Sequence, residues 1–553
     1  MLLVALLACN GRGTVEVEPP PVVVEPPEVV EEEDDGHNVG FDIDELIEVR
    51  VTMDPADFEV LRGQARNVFD ILGGDCTDRD FGEPFTWFEA DVEIDDQAAE
   101  RVGIRKKGFL GSLSEERPSL KIKTDKFVEG QQFGGTERIT LNNQLQDPAV
   151  VRACLAYDVF EAAGVPAPRC NFARVEVNGE DLGVYAHIED VKNDFLEDAF
   201  GGSEGHLYEG TLSDFRAGFT GTFEAKNEQT DPTGAPLQPL VDALTVPDAE
   251  LEAALEPVLD VDAFLAFWAA EILVAHRDGY AMNTNNFFVF VGPDGRARFI
   301  PWGADQTLLQ GDGAVSDFAL TGELARRMYG IPALRQRFVA ELTRQRDEAF
   351  DVDGLLARVE RMERTIAPAV LEPLEVAAAL DEVRAFIEAR PDGITALIDA
   401  LPDDVPPPSE PLCLEIIGTV SWAFTTAFDP ALEQVTLDDT VTVTLDGATT
   451  TWSDTFSAAG YAEEGDAVIT TLGTPSPDLF AQIVVGVPPD RFEPGTVPID
   501  FVSAEGYLVI VDAVTEAPVF QGLIVGDLVL DAAGVGAGDP VSGSLQADVY
   551  AFP

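Results

Sequence analysis

Apolar and polar residues alternate along several short stretches in the first half of the chain, and this period-two pattern predicts β-strands. In Ser-Leu-Lys-Ile-Lys at 119–123, Leu120 and Ile122 share one face and both lysines share the other. The Asn178-Gly179 pair is a strong hairpin turn signal. The strands predicted in this way are 47–51, 87–94, 101–107, 119–123, 173–177, 182–189, 287–291 and 298–301.

Helical spacing of apolar residues follows or separates these strands. The positions Leu355, Val359, Met362 and Ile366 recur every three to four residues, which predicts one face of an amphipathic helix. The predicted helices are 55–66, 149–163 and 262–276, followed by a helical block at 322–401. Residues 41–402 therefore read as one α+β domain.

The pattern changes after the proline-rich stretch 403–411, which we interpret as a linker. Thr, Val, Gly and Asp become frequent, and short strands alternate with turn residues. Regularly spaced short strands are typical of an antiparallel sandwich or barrel. We therefore predict an all-β, sandwich-like C-terminal domain at 412–553, with strands at 435–437, 441–444, 467–469, 481–485, 507–511 and 528–530.

The first residues have a different character. Residues 1–9 form a short apolar run that ends in Leu-Leu-Ala-Cys, which resembles the signal of a bacterial lipoprotein with Cys9 as the lipidated residue. Residues 10–40 are rich in Pro and Glu and predict an extended tether without a core. We expect an extracytoplasmic protein that is lipid-anchored to a bacterial outer membrane or cell surface. The alternative is an ordinary apolar N-terminus.

Charge and cysteine content narrow the possible functions. The chain has 101 acidic and 35 basic residues, a net charge of −66, which disfavours binding to nucleic acid. All lysines lie between Lys106 and Lys226. Besides Cys9, four cysteines allow three complete disulfide pairings, and no Cys/His cluster predicts a structural zinc site.

Two motifs in the middle of the chain carry candidate chemistry. The first is His276-Arg277-Asp278 with Asn283 and Asn286 shortly after it, and the second is Pro-Trp-Gly-Ala-Asp ending at Asp305. An Asp, Asn, Asp order separated by a hairpin is the layout by which protein kinases hold a base and Mg²⁺. Magnesium prefers hard oxygen ligands and takes few of them from the protein.

Several motifs in order resemble the spore-coat protein H (CotH) kinase-like family, over about residues 41 to 400. They are Val-Gly-Ile-Arg-Lys-Lys-Gly at 102–108, Arg-Pro-Ser-Leu-Lys-Ile-Lys at 117–123, Gly-Val-Pro-Ala-Pro at 164–168, Val-Asn-Gly-Glu-Asp-Leu-Gly-Val-Tyr at 177–185, and the two central motifs. The resemblance implies an atypical protein-kinase-like fold that binds ATP and Mg²⁺ or another divalent cation. It also implies phosphorylation of Ser/Thr hydroxyls of a protein substrate.

The resemblance also assigns roles to particular residues. Asp278 matches the catalytic aspartate, and Asp305 matches a metal-binding aspartate. Asn286 matches the metal-binding asparagine, with Asn283 as the alternative because it has the ordinary kinase spacing from Asp278.

For the nucleotide, Lys121 is the expected phosphate-binding lysine, and Lys123 is its neighbour on the same strand face. Arg105 and Lys107 precede a glycine-bearing loop that would cover the phosphates. Glu189 is assigned one of two roles, orienting a basic residue or lying near the adenine edge.

One position departs from the family pattern. The family commonly has Trp-Asp-x-Asp where this chain has Trp302-Gly303-Ala304-Asp305, so the first carboxylate is missing. The function expected from the resemblance is a secreted, anchored protein kinase. The alternative is a catalytically degenerate surface lipoprotein that acts as an adhesin or scaffold. A hydrolase with paired carboxylates is a third reading, but no nucleophile-elbow or zincin motif supports it.

Overall fold

The computed structural model describes residues 40–551 except 75, 96, 110, 134–135, 310–317, 410–412, 431–438, 463–464, 502 and 516. The predicted signal with Cys9, nearly all of the predicted tether and the strand predicted at 435–437 lie outside the described residues. Within the described part of the chain, no helix has the length and apolar character that crossing a bilayer requires.

Seven strands of the first half close into a barrel. Its order is β1-β2-β3-β4-β5-β7-β6, and β6 closes the circle by pairing in parallel with β1. Inward-facing side chains such as Val49, Ile104 and Ile122 are fully buried and form the core of the barrel. The strands are β1 (Leu46–Met53), β2 (Phe88–Ile94), β3 (Gln97–Lys107), β4 (Ser119–Lys123), β5 (Arg138–Asn142), β6 (Cys170–Val177) and β7 (Glu180–Ile188).

A second lobe combines a small sheet with helices around the largest core. The sheet has the order β11-β10-β8-β9 and consists of β8 (His206–Gly210), β9 (Glu224–Ala225), β10 (Phe287–Val291) and β11 (Ala297–Pro301). Among the described residues, the α-helices are α1 (Pro55–Gly63), α2 (Val68–Leu72), α3 (Arg152–Ala162), α4 (Asn193–Phe200), α5 (Gln238–Ala243), α6 (Asp248–Leu255), α7 (Val261–Leu273), α8 (Tyr280–Asn283), α9 (Glu323–Gly330), α10 (Pro332–Glu348), α11 (Val352–Ile366) and α12 (Pro373–Asp399).

The C-terminal region is one ten-stranded antiparallel sheet with its own core. The predicted sandwich implied two sheets, but the described strands pair into one, which curls until Trp422 Nε1 donates to Ser457 Oγ at 3.3 Å. The strands are β12 (Glu415–Ala427), β13 (Thr440–Leu445), β14 (Ala448–Thr451), β15 (Ser453–Tyr461), β16 (Ala467–Ser476), β17 (Leu479–Val487), β18 (Gly495–Ile499), β19 (Glu505–Asp512), β20 (Pro518–Ala533) and β21 (Pro540–Ala551).

Some of the local elements predicted from the sequence are confirmed, and others differ from the structure. The Asn178-Gly179 hairpin is confirmed, and both turn residues have positive φ, as this turn requires. The helix predicted to reach His276 ends earlier, at Leu273, because Ala275 takes a left-handed conformation with φ 53°. The four cysteines pair as Cys76–Cys413 and Cys154–Cys170, which is one of the three possible pairings.

Candidate active site

A cleft of about 500 Å³ lies between the barrel and the second lobe. Strands β3 and β4 contribute one wall through Lys107 and Lys121, and strands β8 and β9 contribute the opposite wall through Glu209 and Glu224. The turns that contain Asp278 and Asp305 also line it. A volume of this size is typical of sites for small molecules.

The cleft collects the cations of an otherwise acidic chain. Six of the seven lysines line it, and only Lys106 does not. Among the described residues its basic side chains are Arg66, Arg105, Lys107, Lys121, Lys123, Lys126, Arg138, Lys192 and Lys226. Its acidic side chains are Glu83, Asp190, Glu209, Glu224, Asp278 and Asp305. A local excess of positive charge in a chain with a net charge of −66 indicates an anionic ligand.

Lys121 is held by a carboxylate that sequence analysis did not select. Its Nζ lies 2.8 Å from Asp190 Oδ2, and Thr140 donates a hydrogen bond to the other carboxylate oxygen. Burial alone would raise the pKa of Asp190, but Lys121 and Thr140 hold that pKa well below its usual range. The carboxylate is therefore charged and fixes Lys121 in the cleft.

Glu189, expected either to orient a basic residue or to lie near the adenine edge, is not among the residues that line the cleft. Its carboxylate lies 2.8 Å from the Arg169 guanidinium and also accepts the Arg169 backbone N–H. Glu189 thus orients a basic residue, which is one of its two predicted roles, but that residue is Arg169. Neighbouring extended residues point to opposite sides, so Asp190 faces the cleft where Glu189 does not.

The other predicted nucleotide-binding residues do line the cleft. Lys107 donates to Asn142 and lies 5.6 Å from the centre of the Trp302 ring. Burial, with repulsion from Lys121, lowers the pKa of Lys107 to about 8. Lys123 Nζ lies 3.5 Å from Asp125, and Arg105 forms an ion pair with Glu83.

Asp278 lies in a turn that a buried glutamate organises. Glu271, on α7, is fully buried and accepts the backbone N–H groups of Tyr280 and Ala281 at 2.6 and 3.1 Å. Burial raises the pKa of Glu271 to about 8, and these two donors oppose the rise. The carboxyl group supplies the acceptors that the first turn of α8 lacks, and so it fixes the chain beside Asp278.

Three asparagine amides surround the Asp278 carboxylate. Asn283 Nδ2 donates to it at 2.5 Å, Asn286 Nδ2 at 2.6 Å and Asn285 Nδ2 at 3.1 Å. Both Asn283 and Asn286 therefore contact the predicted catalytic residue. Of the two, Asn286 lines the cleft, together with Asn285, which sequence analysis did not select.

The turn carrying Asp305 is joined to the turn carrying Asp278. His276 Nε2 donates to the Trp302 carbonyl at 3.0 Å, and burial lowers the pKa of His276, which favours this neutral form. Gly303 has φ 52°, and a β-carbon there would fall 2.3 Å from Asn286 Oδ1. The Asn286 amide thus occupies the space that a side chain at position 303 would need.

The donor atoms around Asp305 fit a hard divalent cation. Burial raises the pKa of Asp305 to about 7, and the negative charges of Asp147 and Asp278 act in the same direction, as expected where carboxylates gather. Asn285 Oδ1 is buried without a hydrogen-bond partner. Asp305 and the amide oxygens of Asn285 and Asn286 are the groups that would hold Mg²⁺.

No group of three or more His, Cys, Asp or Glu side chains suited to a metal ion is found in the described part of the chain. The candidate set relies on one carboxylate and on amides instead. Such a set matches the way Mg²⁺ binds, with one or two carboxylates and further ligands from phosphates and water.

The structure thus brings Lys121, Asp278, Asn286 and Asp305 to one cleft, together with Arg105, Lys107 and Lys123. Glu189 lies outside the lining residues, and Cys9 lies outside the described residues. This convergence defines the class: a protein whose cleft, between a β-barrel and a largely helical lobe, collects side chains of the kinds that bind phosphate and a divalent cation.

The chain belongs to the CotH kinase protein family, whose model matches residues 104–393. It is similar to the inner spore coat protein H of Bacillus subtilis, with 24% identity over 268 residues, covering 44% of this chain and 72% of that protein. It is also similar to invasin CotH2 of Rhizopus delemar, with 26% identity over 170 residues, covering 28% of this chain and 29% of the invasin.

A solved structure, the Helicobacter pylori proinflammatory kinase CtkA, covers 51% of this chain and 95% of its own, with 7% sequence identity. The TM-score of 0.22 is too low for any argument from that structure. Family membership therefore rests on the sequence match.

Proposed function

We propose that this protein is an atypical protein kinase that transfers the γ-phosphoryl group of ATP to Ser/Thr hydroxyls of extracytoplasmic proteins. The observation that carries the proposal is the gathering of six of the seven lysines around Asp278 and Asp305. Membership of a kinase family supports the same activity. We further propose that the chain is secreted and anchored through a lipid on Cys9.

The chemistry needs positioning and charge neutralisation more than covalent help. Lys107 and Lys121 would neutralise phosphate oxygens, and Asp190 keeps Lys121 directed into the cleft. A bound divalent cation would supply further neutralisation and align the phosphates. Asp305, Asn285 and Asn286 would hold it.

Asp278 is the group suited to act on the acceptor. Its carboxylate is fixed by asparagine amides at 2.5 to 3.1 Å. In the transfer the acceptor oxygen forms a new P–O bond, the bond to the β,γ-bridging oxygen breaks, and ADP leaves. The hydroxyl proton passes to Asp278 and then to solvent. A positioned base of this kind contributes about 10²- to 10⁴-fold to rate.

A second candidate function is a surface-anchored adhesin or scaffold that retains the fold without the activity. The observation that favours it is Gly303, which stands where the family pattern has a carboxylate. The two candidates differ in one property, since only the kinase needs Mg²⁺-dependent binding of ATP.

Calorimetric titration of ATP with Mg²⁺ into the purified protein, beside the Asp305→Ala variant, tests the proposal. We expect binding that weakens or disappears in the variant, followed by transfer of labelled phosphate to a Ser/Thr-containing protein. Absence of binding in the folded wild-type protein would exclude the kinase and leave the scaffold.

A further inference from the structure

A segment outside the family match forms part of the cleft. Residues 76–87, here called the strap, connect α2 to β2, and they precede the matched residues 104–393. Nevertheless, Phe81, Glu83, Phe85 and Trp87 line the cleft. The strap is therefore an addition to the matched region that contributes a wall to the proposed nucleotide site.

Arg66 ties the strap to the barrel. Its guanidinium donates to the carbonyls of Phe81 and Gly82, both at 3.1 Å, and to the carbonyl of Gly108 at 3.3 Å. Gly108 follows β3, the strand that carries Lys107. One partly buried cation thus joins the strap to the edge of the lysine-bearing wall.

Side chains of the strap also contact those of β3 and of the loop that follows it. Glu83 forms an ion pair with Arg105, whose guanidinium lies 5.0 Å from the centre of the Trp87 ring. The Phe81 ring lies 5.5 Å from the ring of Phe109. These contacts keep aromatic and charged groups of the strap directed at the cleft.

The strap reaches the opposite wall at Gly221. A β-carbon at Gly221 would fall 2.2 Å from the carbonyl carbon of Asp78 and 2.7 Å from the backbone nitrogen of Arg79. Only glycine permits this close backbone approach. Because Thr222 and Glu224 just beyond it also line the cleft, the strap spans the cleft from one wall to the other.

The root of the strap is fixed to the C-terminal sheet. Cys76 forms a disulfide with Cys413, and both cysteines are buried. Beside it, Gly74 N–H donates to the Leu414 carbonyl at 3.1 Å. The Phe69 ring on α2 lies 4.8 Å from the ring of Tyr550 and 5.5 Å from that of Phe501.

We propose that the strap completes the nucleotide cleft and that the C-terminal sheet, through Cys76–Cys413 and Phe69, is what holds it in place. Full nucleotide affinity would then require this attachment, because a wall fixed before binding costs less ordering entropy than one that must be ordered by the ligand. The inference rests on the proposed function, and it gives Cys76, Cys413 and Phe69 the role of positioning residues.

The test compares two double variants of the full chain. In Cys76→Ser/Cys413→Ser the strap loses its covalent attachment, whereas Cys154→Ser/Cys170→Ser removes the disulfide between α3 and β6 and leaves the strap attached. We expect the Kd for ATP with Mg²⁺ to rise about tenfold in the first and to stay within about twofold in the second. In phosphate transfer, KM for ATP should rise while kcat stays within about twofold.

Hydrogen exchange supplies a readout that a general loss of stability would not reproduce. ATP with Mg²⁺ should protect the amides of residues 77–87 in the wild type, and the first double variant should show faster exchange there before ligand is added. Phe69→Ala, which leaves both disulfides intact, should raise the Kd about threefold and so keeps the test decisive if the double variant does not fold.

Equal affinities in the wild type, the Cys76→Ser/Cys413→Ser protein and Phe69→Ala would overturn the role of the strap while leaving the proposed function intact. Equal losses in both double variants would also overturn it, because the effect would then reflect general stability. If the wild type itself does not bind ATP, the proposed function fails and this inference fails with it.

Discussion

The cleft and the C-terminal sheet distribute charge in opposite ways. Residues 412–553 contain 21 acidic residues, a single arginine, Arg491, and no lysine. The cleft has nine basic side chains against six acidic ones among the described residues. The acidic character is therefore a general property of the surface, whereas cations are concentrated where a ligand is expected.

The C-terminal sheet and the cleft also differ in how many polar side chains they bury. The core of the sheet consists mainly of Val, Ile, Leu and aromatic residues. Around the cleft, by contrast, Glu271, Asp190 and Asn285 are all buried or nearly so. Burying such groups costs free energy unless they are paired, so their concentration at one place indicates a functional site.

The largest expected effect comes from Asp278→Asn. Phosphate transfer should fall by about 10²- to 10⁴-fold because the proton acceptor is removed. The Kd for ATP with Mg²⁺ should change by less than about tenfold, since the lysines that hold the phosphates remain. Radiolabel transfer and calorimetry check the two quantities separately. A variant with unchanged transfer would exclude Asp278 as the base.

Removing Lys121 should affect both binding and stability. In Lys121→Met, Asp190 loses its ion-pair partner while it remains largely buried, so we expect the free energy of unfolding to fall by about 3 kcal/mol and the ATP affinity to drop at least tenfold. In Lys121→Met/Asp190→Asn, stability should largely return while affinity does not.

Lys106→Met is the matched control for this experiment. Lys106 is the one lysine that does not line the cleft, and its Nζ donates to the Arg62 carbonyl at 2.5 Å. Its replacement should lower stability and leave the Kd for ATP within about twofold. Equal losses of affinity in both variants would contradict a role specific to the cleft lysines.

The buried Glu271 predicts a pH dependence of stability. Its folded-state pKa of about 8 lies above the ordinary value of 4.5, so its contribution is fully present below pH 4.5 and is lost as the pH rises through 8. The free energy of unfolding should therefore decline more steeply with pH in the wild type than in Glu271→Gln. The slopes should differ by about 1 kcal/mol per pH unit near neutrality. Denaturant titrations at pH 5.5, 6.5 and 7.5 measure this, and parallel slopes would contradict it.

Gly303→Asp restores the residue of the family pattern, but here it should weaken the site. The new side chain would collide with the Asn286 amide, and the left-handed backbone disfavours any β-carbon. We expect the affinity for ATP with Mg²⁺ to fall about tenfold, and Gly303→Ala to show a similar loss. Improved binding in Gly303→Asp would show that a carboxylate is missing from the site.

Before the linker, sequence patterns predict eight of the strands, but not β5, β8 or β9. They also predict the hairpin at Asn178-Gly179 and the helical block, because these follow from local periodicity. The family motifs bring Asp278, Asn286, Asp305 and Lys121 into consideration together. Asp190 escapes detection because its neighbour Glu189 is equally plausible until the side of the chain that faces the cleft is known. Glu271 escapes because it lies within an apolar helix and its partners are backbone N–H groups.

Local sequence patterns also cannot predict the strap or its disulfide, for a different reason. Cys76 and Cys413 are 337 residues apart, and nothing in their local sequence selects one pairing among the three. The single curled sheet at the C-terminus likewise depends on which strand ends meet in space, which strand spacing does not specify. Long-range contacts are thus the part of this fold that the sequence alone leaves open.

Hydrogen exchange with and without ATP and Mg²⁺ tests the central claim most directly, because it compares the cleft and the C-terminal sheet in one experiment. We predict slower exchange in residues 104–123, 276–286 and 301–308, and unchanged exchange in strands β16 to β21. Protection confined to the sheet, or no protection at ATP concentrations in the millimolar range, would contradict a nucleotide site in the cleft.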